Sequence, residues 1–102
     1  MHCLKIAITR FVDDHEPGFV ECTFVDAAGK SHVVIEKVPI VSDEDLTSQS
    51  TYPRAGVIRC TVVARLKGER GEPLVRIDTG APDGVESQEG ETVFEVSEAL
   101  IE

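Results

Sequence analysis

The sequence predicts an all-β domain: a small six-stranded antiparallel barrel or barrel-like sandwich with one short helical turn. Three observations carry this expectation. Apolar and polar residues alternate with a period of two, valine dominates the apolar content, and Gly- or Pro-containing turn signals recur about every 8–12 residues. Val, Ile, Leu and Phe make up 30 of the 102 residues, enough for one core and too few for two. β-Branched side chains sit better on a pleated surface than in a helix. A closed barrel is favoured over an open sandwich because closure removes exposed strand edges.

The first strand is expected from Leu4 onward, with Leu4, Ile6, Ile8 and Val12 on one face. Asp14-His15-Glu16-Pro17-Gly18 ends it with turn chemistry. Phe19–Asp26 follows, with Val20, Cys22 and Phe24 on one face. Asp26-Ala27-Ala28-Gly29-Lys30 reads as a type I turn closed by a left-handed glycine, and His32–Val38 as its hairpin partner. Either Val33/Ile35 or Val34/Val38 faces inward in that partner, since a one-residue slip flips every side chain. Pro39 ends the strand or confines it to an edge. Ser42-Asp43-Glu44-Asp45 has the composition to cap a short helical turn, and 42–56 is the longest irregular connection.

Val57–Leu66 is the clearest strand, with Ile58, Cys60, Val62, Ala64 and Leu66 expected on one face. A Gly-containing turn leads to Leu74–Asp78, a Pro/Gly/Ser/Gln loop spans Gly80–Gly90, and Thr92–Val96 is the last strand. If Val75 and Ile77 face inward, a simple hairpin sets Arg65 opposite Arg76. Like charges so placed call for a neutralising group, either Glu91 or Glu95 of the last strand or an anion on a partner.

No apolar run reaches the ~18 residues that cross a bilayer, and Met1-His2-Cys3-Leu4-Lys5 lacks the pattern of a signal peptide. Three cysteines without Cys-x-x-Cys spacing argue against a disulfide framework and for reduced thiols in the cytoplasm. His2, Cys3, His15, Cys22, His32 and Cys60 supply metal-ligating chemistry, yet no pair has the spacing of a structural zinc site. No metal and no cofactor is expected. Gly-x-Ser-x-Gly and phosphate-binding glycine loops are both absent.

Ile77-Asp78-Thr79-Gly80-Ala81 resembles the active-site signature of the aspartic peptidases. The resemblance implies Asp78 as a catalytic acid/base, paired with a second Asp78 across a dimer axis, with Thr79 and Gly80 shaping the turn. The sequence departs from that family at Arg76, where an apolar or small residue is usual. It departs again in leaving only 22 residues after Gly80 for a flap and second apolar strand.

Charge gives the remaining leads. The net charge of −9 disfavours nucleic acid, which requires a basic surface, and favours a basic protein partner. Residues 54–76 hold six bases and two acids, whereas 78–102 hold eight acids and no base. The expected function is a non-catalytic interaction module for a basic protein, of the immunity-inhibitor type. Its acidic surface comprises Asp43, Glu44, Asp45, Asp83, Glu86 and Glu89. Two alternatives stand beside it: a peptidase-like dimer using Asp78, and an anion- or RNA-docking face formed by Arg59, Arg65 and Arg76.

Overall fold

In the computed structural model, which describes residues 1–102, the chain forms six strands in one antiparallel sheet. They are β1 (His2–Asp13), β2 (Phe19–Val25), β3 (Ser31–Lys37), β4 (Arg54–Lys67), β5 (Pro73–Asp78) and β6 (Val93–Ser97). A four-residue helix, α1 (Val38–Val41), follows β3, and a 3-10 turn at Glu98–Leu100 follows β6. The spatial order is β3-β2-β1-β4-β5-β6, so two three-stranded meanders meet where β1 pairs with β4. No helix is long and apolar enough to cross a membrane.

The sheet curls, and its ends are drawn together by backbone contacts. The Ala27 N–H donates to Glu95 O (2.8 Å) and the Gln88 N–H to Val33 O (2.9 Å). Cys3 and Glu102 exchange two hydrogen bonds, each of 3.0 Å, beside a Leu4–Ile101 bridge. The last residues thus lie along β1 beyond the point where its ladder with β2 ends, at Ala7 and Thr23. Inside the curl, Leu4, Ile8, Val20, Cys22, Ile58, Val75, Ile77 and Val96 are almost wholly buried and form one aliphatic core.

Period-two reading places most of these side chains, and β-bulges account for where it does not. β1 shifts register against β2 between Ile8 and Arg10 and again between Phe11 and Asp13. Each extra residue reverses the faces beyond it. Val12, expected inside, is therefore exposed, and Phe11 packs against the core in its place. A third bulge lies in β4 between Val62 and Ala64. Val62 opposes the buried Ile77, but Ala64 then opposes Arg76, Arg65 opposes Val75 and Leu66 opposes Leu74. Ala64 and Leu66 leave the face of Ile58 and Cys60, contrary to simple alternation. The expected juxtaposition of Arg65 with Arg76 does not occur.

In β3, His32 and Val34 face inward. The helical turn is also displaced from its expected place. It precedes Ser42, with Pro39 in its first turn, where the missing N–H costs nothing. Ser42 closes the turn's C-terminal end through the backbone, its N–H donating to Val38 O at 3.0 Å, while its Oγ accepts from the Glu44 N–H at 3.1 Å. The driving force is burial of Val38 and Val41.

Candidate functional site

Burial of Val41 fixes where the next acidic residues emerge. Gly56 in β4 permits the approach: a Cβ there would lie 2.9 Å from the Val41 carbonyl oxygen and 2.6 Å from Ile8 Cδ1. At its other end the segment is pinned by Leu46, also buried. Ser42, Asp43 and Glu44 are thereby held in an arc over β1 and β4. Glu44 is steadied by Arg54, with Oε1 2.6 Å from Nη2.

Two clefts of about 420 and 350 Å³ flank this arc. They adjoin at Ser42, Asp43 and Val57, which line both, and together make up the groove of this face. Its floor is apolar, from Ile6, Val41, Ala55 and Gly56 on one side to Pro39 and Ile40 on the other. Its rim carries Asp43, Glu44 and Glu102 at the first cleft and Asp83 at the second, with Lys5 and Arg59 the only bases. Asp83 chelates Arg59 through two hydrogen bonds (2.5 and 2.9 Å), and this pair sustains the positive charge of Arg59.

Three of the six acidic residues singled out from sequence, Asp43, Glu44 and Asp83, thus meet at one groove although the outer two are 40 positions apart. Asp45 sits on the same segment but is not part of the wall. Glu86 is exposed on the loop after β5, and Glu89 of that loop pairs with Lys30 at 3.0 Å. Glu102, the last of the acids in the 78–102 stretch that the sequence marked as acidic surface, also joins the groove. Only the bridge of the chain end to β1 brings it there.

The three arginines do not form a common face. Arg59 pairs with Asp83, Arg65 with Glu98 (3.2 Å) and Arg76 with Glu95 (2.7 Å). Glu95 is one of the two acids the sequence offered as neutralising partners, and it lies directly opposite Arg76.

The Asp-Thr-Gly segment serves its own turn. Asp78 Oδ1 accepts the Gly80 N–H at 2.7 Å, and Thr79, buried, donates from Oγ1 to Val85 O at 2.7 Å. Asp78 sits beside Thr61 and Val93 on neighbouring strands. These contacts account for the residue types without any chemistry at the carboxylate.

A second constellation lies at the seam between β3 and β6. His32 is 4% exposed, stacked on Phe24 with ring centroids 5.2 Å apart, and edge-on to Phe94 at 4.8 Å. Its Nε2 lies 2.7 Å from Asp26 Oδ2, and its Nδ1 faces Glu91 Oε1 at 3.7 Å. Burial opposes the charge on Asp26, but hydrogen bonds from His32 and from the N–H groups of Lys30 and Ala28 outweigh it and hold that carboxyl below its usual value. The two carboxylates address opposite ring nitrogens, so they cannot converge on one metal ion. Among the thiols, burial pushes Cys22 up to about 12 and Cys60 up to about 11.

The fold and groove define an all-β protein with an acidic, apolar-floored cleft. Comparison with family models, curated proteins and solved structures found no match to this chain.

Proposed function

We propose that the protein is a non-catalytic interaction module that receives a basic, partly apolar segment of another protein in the groove beneath Ser42–Glu44. The observation that carries this reading is convergence: Asp43, Glu44, Asp83 and Glu102 ring a floor of aliphatic side chains. Such a combination suits lysine or arginine, whose methylene stems lie on apolar surface while the charged heads meet carboxylates. Of the ten bases in the chain, six are tied to carboxylates within the fold, so much of the net negative charge remains available to steer a cationic partner. Three free thiols accord with the reducing cytoplasm as the place of action.

The test uses a fluorescent peptide of alternating arginine and leucine, with a glutamate/leucine peptide as control. Anisotropy should report binding of the cationic peptide that weakens about tenfold or more between about 50 and 500 mM salt. It should also weaken severalfold in the Asp43→Asn/Glu102→Gln double variant. Equal binding of both peptides, or an affinity indifferent to salt and to the double variant, would overturn the reading.

A further inference from the structure

The constellation around His32 stands apart from the groove and has an unusual defect. Asp26, held as the anion, is an acceptor only, so the ring proton of neutral His32 belongs on Nε2, donated to Oδ2 at 2.7 Å. That assignment leaves Nδ1 with a lone pair, pointed at a carboxylate oxygen 3.7 Å away. This oxygen, Glu91 Oε1, is buried and has no hydrogen-bond partner. Two acceptors face each other with no proton between them, in surroundings where an unmade hydrogen bond is costly.

The geometry points to a proton-operated latch: one proton taken from solvent between His32 Nδ1 and Glu91 Oε1 turns the opposed acceptors into a charge-assisted hydrogen bond and fastens the loop from Thr79 to Thr92 across the seam of the sheet.

Glu91 is built into that loop. Its N–H donates to Ser87 Oγ (3.1 Å), and its carbonyl accepts the Ser87 N–H (2.8 Å). The next residue, Gln88, makes the loop's backbone bond to edge strand β3 at Val33, and Glu89 reaches Lys30 in the β2–β3 turn. A pull on Glu91 therefore acts on the contacts that close the edge. No bond other than N–H or O–H is made or broken.

The charged groups around the ring come from every neighbouring element. They are Asp26 and Lys30 from the β2–β3 turn, Glu89 and Glu91 from the loop, Arg76 from β5 and Glu95 from β6. Lys30 and Arg76 are each occupied by a carboxylate, Glu89 and Glu95 respectively, leaving Glu91 facing the ring without a cation of its own. Phe24 stacked on the ring and Phe94 packed edge-on leave the imidazole almost wholly buried.

The test is nitrogen-15 NMR of the histidine rings together with amide exchange at Gln88, at about pH 8 and about pH 5. The expected result is an Nε2–H tautomer of His32 at the higher pH and a doubly protonated ring at the lower. In parallel, the protection factor of the Gln88 amide should rise about tenfold. The variant Glu91→Gln supplies an N–H to Nδ1 without any proton uptake, so its Gln88 protection should be the same at both pH values and match the wild-type protein at the lower one. A ring that keeps one state across this range, or one that takes up the proton while Gln88 protection stays constant, would overturn the latch.

Discussion

Two acidic segments, Ser42–Asp45 and the loop between β5 and β6, are alike in composition and, apart from Asp83 of the loop, which joins the groove, opposite in use. The first is stretched between two buried side chains, Val41 and Leu46, and turns Asp43 and Glu44 toward a groove. The second folds back on the sheet. Its Val85 and Thr79 are buried, its Glu89 is spent on Lys30, and its Glu91 is aimed at a buried histidine. Acidic residues mark a binding surface only where neighbouring apolar anchors leave them facing outward around a floor. Where the anchors draw them inward, the same residue types become part of the fold.

The largest expected effect that sharpens this contrast is at the anchors. Leu46→Ala should cost about 2–4 kcal/mol in denaturant unfolding and also abolish binding of the cationic peptide. Thr79→Val should cost about 1–3 kcal/mol, because the carbonyls of Val85 and Thr92 lose their hydroxyl donor, while peptide binding stays unchanged. Equal loss of binding in both variants would break the distinction between the segments.

Next in size is charge reversal at the exposed acids. Asp43→Lys should weaken peptide binding about tenfold, and Glu86→Lys by no more than about twofold, in the same anisotropy titration. Comparable losses at both positions would mean that the whole field, not the groove, captures the peptide.

Acid titration reads out the buried histidine constellation that the second segment faces. The Asp26 carboxyl is depressed in the folded state, so its stabilising contribution is present above the ordinary carboxylate value, about pH 4, and is lost as pH falls through the folded value. Unfolding midpoints measured from neutrality downward should therefore drop more steeply in the native protein than in Asp26→Asn. A drop of equal steepness in the two proteins would contradict this role of Asp26.

The smallest effect concerns the thiols. At about pH 8 a disulfide reagent should modify Cys3 rapidly and Cys22 and Cys60 only at the rate of unfolding. Both buried thiols ionise far above the unfolded value of roughly 8.5, so the native state retains protons that the unfolded chain gives up. Stability from this source is present below that value and lost as pH rises past it.

Strand positions were legible in the sequence because a pleated backbone forces a period of two, and Ile58, Cys60, Val20 and Phe24 obey it. The register beyond each bulge was not. An inserted residue such as Val63 has no distinctive chemistry, and it moved Leu66, Ala64 and Arg65 to unexpected neighbours. Asp43 and Glu44 were recognisable as acids and Asp83 as a loop residue, but their convergence depends on a close packing at Gly56 that no local pattern encodes. Glu91 and His32 are 59 positions apart and were legible only as separate polar residues. The Asp-Thr-Gly resemblance was the most conspicuous motif, and the turn contacts around it are sufficient reason for its residues.

The most direct measurement on the groove is a map of amide chemical-shift changes as the arginine/leucine peptide is added to the isotopically labelled protein. Shifts should concentrate at Ser42, Asp43, Gly56, Val57 and Glu102 and fade with added salt. Changes scattered equally over Asp13–Glu16, Glu86 and the groove, or absent from Ser42 to Glu44, would contradict the assignment of the site.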